Sequence, residues 1–162
     1  MCSTELNIRQ LTAADTPQVV SFYALLPESV TSLYLPFSDP NEVVIRQHLD
    51  QSDAGKHISL GIVDDNGVVL GHCFILLIKE DKPIFGIGLS PDVHGKGWGR
   101  KIAQDILDRA DDLGLPLVTL TVVKRNEIAR KLYETLDFVI TGECTFREQA
   151  DSWEMERPLP QQ

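Results

Sequence analysis

The feature that most constrains this chain is a glycine-punctuated loop set between two different hydrophobic periodicities. Ile84 to Leu89 is an apolar stretch of strand length, whereas Ile102, Ala103, Ile106, Leu107 and Ala110 recur at helical spacing. Between them runs Ser90-Pro91-Asp92-Val93-His94-Gly95-Lys96-Gly97-Trp98-Gly99. Gly114 and Pro116 close the helix, and Leu117 to Val123 follows as another apolar strand. A strand, a helix and a second strand in that order predict one parallel crossover. The loop offers unpaired backbone N–H groups at the positive end of a helix, a geometry that binds phosphate. Alternate glycines let the backbone approach a ligand, and Lys96, Arg100 and Lys101 add charge beside it. A tight strand-to-helix turn would need the same glycines for their dihedrals alone.

The flanking elements predict an antiparallel sheet around this crossover. Leu6, Ile8 and Gln10 alternate as an opening strand, and Asp15-Thr16-Pro17 starts a helix carrying Val19, Val20, Tyr23 and Leu26. Pro27 to Phe37 is irregular, and Ser38-Asp39-Pro40 opens a second helix with Val44, Ile45, His48 and Leu49. Ile58, Leu60 and Ile62 form a strand, Asp64-Asp65-Asn66-Gly67 a hairpin turn, and Val68 to Lys79 the returning strand. After the crossover, Asn126 caps a helix with Ala129, Leu132, Tyr133 and Leu136 on one face. Phe138 to Ile140 and Trp153 to Met155 read as closing strands. The expected fold is α/β (α+β), a mixed and mostly antiparallel sheet with helices on both faces, in one domain over residues 5–159.

Composition excludes several classes. With 162 residues, 43% hydrophobic and 24% charged, the chain can bury one core and is not of disordered composition. The longest apolar run, Cys73 to Ile78, is too short to span a membrane, and the first five residues carry no leader pattern. The expected location is the cytoplasm. Cys2, Cys73 and Cys144 have neither zinc-site nor disulfide spacing and read as reduced thiols, leaving no metal expected. A net charge of -9 argues against nucleic acid as a partner. Yet His94 to Lys131 holds eight basic residues against five acidic ones, a basic island in an acidic chain.

Known phosphate loops can be tried against the glycines. A Walker loop requires Ser or Thr after Gly-Lys, but Gly97 follows Lys96. A dinucleotide fingerprint begun at Gly95 places Arg100 at its last glycine. The stretch Leu89 to Arg100 instead resembles the acetyl-CoA loop of the Gcn5-related N-acetyltransferase (GNAT) family, Gln/Arg-x-x-Gly-x-Gly/Ala after a strand ending in x-Pro. His94 stands where Gln or Arg is usual. Asn126-Glu127-Ile128-Ala129-Arg130-Lys131-Leu132-Tyr133-Glu134, followed by Asp137-Phe138, resembles a second family signature, with Asp137 replacing glycine.

The resemblance implies a GNAT fold and transfer of acetyl from acetyl-CoA to an amine. Backbone groups near Leu89 would hold the pantetheine arm, and Gly95, Lys96, Gly97, Trp98, Gly99 and Arg100 the pyrophosphate. His94 could lend an N–H to a phosphate, and Asn126 is a helix cap that in the family also contacts the cofactor. Tyr133 would protonate the departing thiolate; as an apolar-face aromatic it also reads as core. The family often places a base on the strand before the loop, but Ile84 to Leu89 contains no carboxylate. Glu28, His72, Glu80, Glu143 or a water chain are the candidates. Gly86 and Gly88 suggest a bulge or a close ligand approach, with space for a longer acyl donor. The acidic remainder favours a cationic acceptor recognised by Pro27 to Phe37 and by the strands around Glu143 to Trp153. A non-catalytic acetyl-CoA sensor is the competing reading, and edge pairing into a homodimer is plausible.

Overall fold

The computed structural model describes residues 5–33, 36–37, 39–146 and 150–160. Seven strands, β1 (Leu6–Gln10), β2 (Ile58–Asp64), β3 (Val69–Leu76), β4 (Ile84–Leu89), β5 (Leu117–Val123), β6 (Val139–Phe146) and β7 (Ala150–Pro158), form one sheet. Their order is β1-β2-β3-β4-β5-β7-β6, with every neighbouring pair antiparallel except β4 and β5. The helices are α1 (Thr16–Ala24), α2 (Glu28–Thr31), α3 (Glu42–Asp53), α4 (Trp98–Asp112) and α5 (Glu127–Thr135). The mixed sheet and its crossover are those expected from the periodicities.

Local chemistry sets the turns. Asp64 Oδ1 accepts from Asn66 N at 2.8 Å and Val68 N at 2.9 Å, and Gly67 takes φ 81°, so the β2–β3 hairpin closes without a side-chain clash. Alternation along the strands then divides two cores. Leu60, Ile62, Cys73, Ile75, Phe85, Val118, Leu120 and Met155 face α4 and α5. Val63 and Val69 face α1 and α3, where Val19, Phe22, Tyr23, Ile45 and Leu49 pack. In α4, Ile102, Ile106 and Leu107 are fully buried, each worth about 1.5–3 kcal/mol of transfer free energy. Arg157 of β7 reaches into this side, paired through both guanidinium nitrogens with Asp111 and donating from Nε to the Leu136 carbonyl at 3.0 Å. It fastens the ends of α4 and α5 to the sheet.

Several boundaries differ from the sequence reading. The strand expected over Val68 to Lys79 stops at Leu76, because Leu77 turns to φ 59° and its N–H donates to His57 Nδ1. The α3 cap is Asn41, whose side chain accepts from Val44 N at 3.0 Å; Ser38, the expected start, lies outside the described residues, as does Cys2. The irregular Pro27 to Phe37 segment contains the helical turn α2. The closing strands are longer than the short apolar runs implied, because their alternate residues are polar. β4 pairs with β3 in unbroken register, so Gly86 and Gly88 mark no bulge there; register shifts fall instead at Ile62/Val63 and Ile140/Gly142.

Candidate active site

The parallel pair is the opening on which the site depends. β4 and β5 share the single ladder pair Ile84↔Thr119, where Thr119 donates to the Pro83 carbonyl from both N (2.8 Å) and Oγ1 (3.0 Å). Beyond that pin the strands part towards Leu89 and Val123, leaving a wedge through the sheet. A cleft of about 480 Å³ occupies it, a volume suited to a small ligand. Gly86 and Ile87 line one wall, Thr119, Thr121 and Val123 the other. Thr31 to Leu33 and Pro36 cover it, and Glu154 and Glu156 project from β7.

At the wide end of the wedge, the glycine loop begins α4. Gly95 and Gly97 hold φ 72° and 83°, a left-handed backbone that glycine adopts without strain. No atom stands within 4 Å of where their Cβ would be, so these glycines serve the backbone course and leave its approach open. Gly97 caps α4 without any side chain, and Lys101 N is the first helix amide bonded back, to the Gly97 carbonyl. The amides of Trp98, Gly99 and Arg100 therefore have no intrahelical acceptor and sit at the positive helix end. Gly99 has a different cause: a Cβ there would lie 3.1 Å from Leu89 Cδ1, so glycine allows α4 to pack against β4.

The cationic side chains around this loop are held by neutral partners. Lys96 Nζ donates to the Asp92 carbonyl at 3.1 Å, Lys101 lies 4.6 Å from the centre of the Trp98 indole, and Arg100 donates to Thr135 Oγ1 at 3.0 Å. No carboxylate pairs with them among the described residues. His94 turns back: its Nε2 is 3.1 Å from the Leu89 carbonyl oxygen, at the end of β4. The loop residues and Leu89, expected together, are together, with the exposed His94 ring bridging back to the Leu89 carbonyl.

Tyr133 reaches the cleft from α5. Its ring is buried against Phe85 (centroids 5.7 Å apart) and Phe138 (5.9 Å), satisfying the core reading, while the residue also lines the wedge. Burial, with Cys73 nearby, pushes its phenol above the ordinary value of 10, so it stays protonated. Asn126 caps α5 by accepting from Ala129 N at 3.4 Å. Its neighbour Arg125 donates to the Ser32 carbonyl at 2.9 Å and ties the cleft's covering segment to the end of β5.

None of the four candidate bases lines the cleft. Glu28 is on α2, Glu80 in the turn after β3, and Glu143 is paired with Lys124 at 3.1 Å. His72 is fully buried on the α1/α3 side of the sheet. The carboxylates that do line it, Glu154 and Glu156, stand one and three residues beyond the Glu143 to Trp153 segment singled out for acceptor recognition. Their signal was the alternation of Ser152, Glu154 and Glu156 with Trp153, Met155 and Arg157, which places the polar set on one face. The space expected at Gly86 is filled by the Phe74 ring, which lies where a Cβ would stand.

Comparison with known proteins agrees with this architecture. The Acetyltransferase (GNAT) family model matches residues 21–138, and the chain belongs to that family. It is 28% identical over 82 residues to the ribosomal protein bS18-alanine N-acetyltransferase of Escherichia coli K12, across 51% of this chain and 53% of that one. The chain thus spans about half the length of the curated relatives it matches. Among solved structures, the ribosomal-protein-S5-alanine acetyltransferase from Vibrio fischeri aligns with TM-score 0.81 and 16% identity, over 98% of this chain and 97% of that one. Spermidine N-acetyltransferase from Vibrio cholerae, in complex with CoA and spermine, aligns with TM-score 0.74 and 20% identity, over 95% of each chain. Among the described residues no helix is long and apolar enough to cross a membrane.

Proposed function

We propose that this chain, acting through residues 5–159 as one unit, transfers the acetyl group of acetyl-CoA directly to a primary amine bound in the wedge between β4 and β5. The observation that carries the reading is the placing of the free α4 amides after the end of β4, the strand that walls a wedge also lined by Tyr133 and by the carboxylates of Glu154 and Glu156. The open loop fits a pyrophosphate, because three helix-start amides and the cations Lys96, Arg100 and Lys101 surround a backbone with no Cβ in the way. Acetyl-CoA supplies a thioester whose carbonyl carbon is open to attack.

The chain's own groups then do four things. Loop amides hold the anion, and the β4 backbone near Leu89 aligns the arm, which requires His94 to release the Leu89 carbonyl or to share it. Glu154 and Glu156 attract and orient a cationic acceptor. As the amine nitrogen bonds to the carbonyl carbon and the carbon–sulfur bond breaks, the Tyr133 hydroxyl gives its proton to the thiolate. The proton lost by the amine leaves through the cleft mouth, beside the two carboxylates, and Tyr133 is reprotonated from solvent. The spermine-bound relative and the alanine N-acetyltransferase relative support an amine acceptor in this fold.

The test is thiol release from acetyl-CoA across polyamines, aminoglycosides, amino acids and basic peptides. Glu154→Gln and Glu156→Gln are run beside the wild type, and product mass is read in parallel. One amine class should gain 42 Da per transfer, about the mass of an added acetyl group, and each variant should raise KM for cationic acceptors about tenfold. Binding of acetyl-CoA with no transfer to any amine would favour the sensor.

A further inference from the structure

Behind the cleft, the α1/α3 face of the sheet carries a polar chain that the transfer reaction does not use. Tyr23 Oη is 2.6 Å from His72 Nδ1, His72 Nε2 is 2.7 Å from Ser59 Oγ, and Ser59 Oγ is 3.2 Å from His48 Nε2. Side chains from α1, β3, β2 and α3 are thereby joined, all of them buried. Ser59 has one hydroxyl proton, so it donates to one histidine and accepts from the other. If it donates to His72 Nε2, then His72 Nδ1–H donates to Tyr23 Oη and His48 Nε2–H to Ser59; reversing every bond gives the other order. In both, removing the Ser59 hydroxyl takes the partner from the Nε2 of each buried histidine. Burial keeps both histidines neutral, with His48 held down to about 3 and His72 well below its ordinary range.

Two rings rest on this chain and also bound the cleft region. Phe74 lies 5.1 Å from His72 and 5.5 Å from His48, centroid to centroid, lines the cleft, and fills the space above Gly86. Phe37 lies 5.4 Å from His48 and 5.9 Å from Phe74, stacks parallel to His72, and directly follows the cleft-lining Pro36.

We propose that the Tyr23–His72–Ser59–His48 chain is the positioning device of the acceptor cleft: by fixing the rings of Phe74 and Phe37 it sets how large an acceptor or acyl group the wedge admits. The proposal rests on reading the wedge as the transfer site. Ser59→Ala breaks the chain with almost no change of volume, and Phe74→Leu shortens the wall with the chain intact. Both should raise the kcat/KM ratio for propionyl-CoA over acetyl-CoA about fivefold, the double variant should add little further, and the Kd of acetyl-CoA in Ser59→Ala should move less than twofold. A Ser59→Ala protein with lowered Tm but an unchanged ratio would reduce the chain to core structure and overturn the proposal. A second readout does not need turnover. Nuclear Overhauser cross-peaks between the His72 ring and the rings of Phe37 and Phe74 should be present in wild type and weakened or lost in Ser59→Ala. Their persistence in the variant overturns the positioning role, whereas a wild type that transfers to no amine refutes the functional reading and leaves the cross-peaks to decide the chain.

Discussion

Lowering the pH from 7 to 5 should destabilise the protein by about 2 kcal/mol or more through two buried histidines. His48 and His72 are held neutral by burial, with His57 beside His48 acting in the same direction. In the unfolded chain each returns to its ordinary value of 6.5. Below that pH the unfolded state binds protons that the folded state refuses, so stability falls as pH falls. The gap widens by about 1.4 kcal/mol per pH unit for each histidine until the folded value is reached. With His48 at about 3 in the fold, integration from pH 7 to 5 gives a loss of about 2 kcal/mol, and His72, lowered by its full burial, adds in the same direction. That is a large share of the roughly 5–15 kcal/mol of a typical domain. His57, also lowered by partial burial, adds in the same sense. Asp15, lowered by its Arg9 partner, contributes stability that is present above 3.8 and is lost only below it, outside this window. Urea unfolding followed by the fluorescence of Trp98 and Trp153 should show the midpoint falling by about 1 M or more between pH 7 and 5 with a similar slope. Equal stability at the two pH values would refute the neutral, buried assignment.

Three further outcomes follow from the geometry. Gly97→Ala forces a side chain into φ 83°, which should cost about 1 kcal/mol of stability and weaken acetyl-CoA binding by calorimetry several-fold, since the α4 start must shift. Asp137, at φ 74°, occupies the position where the family signature has glycine, so Asp137→Gly should raise stability by about 0.5–1 kcal/mol, read as a higher Tm with unchanged turnover. Arg125→Ala frees the Ser32 carbonyl and so loosens the cleft cover; acceptor KM should rise several-fold while the Kd of acetyl-CoA stays within twofold.

The crossover and its loop were legible because glycine, helical period and strand period change abruptly between Leu89 and Ile102. Asn126 and Tyr133 were legible because a cap and an apolar face share a short helix. What the sequence did not carry was depth. His72 alternates with Cys73 and Phe74 like any strand residue, and only the three-dimensional approach of α1 and α3 turns it into part of a buried chain. The end of β3 was hidden because Leu77 and Ile78 continue the apolar run, while the left-handed turn at Leu77 depends on His57, twenty residues away. His94 read as a donor to phosphate because its neighbours are a phosphate-type loop, whereas its ring meets the Leu89 carbonyl. Glu154 and Glu156 became visible as cleft residues only once β7 was seen beside the splayed β5.

In the proposed reaction, Tyr133 in the β4–β5 wedge completes acetyl transfer. Its most direct test compares single-turnover thiol release in the wild type and Tyr133→Phe, with the amine identified by the panel and acetyl-CoA affinity measured on both proteins. Transfer should slow by about 10²–10⁴-fold in the variant, with affinity for acetyl-CoA within about twofold of wild type. Undiminished transfer in Tyr133→Phe would contradict it.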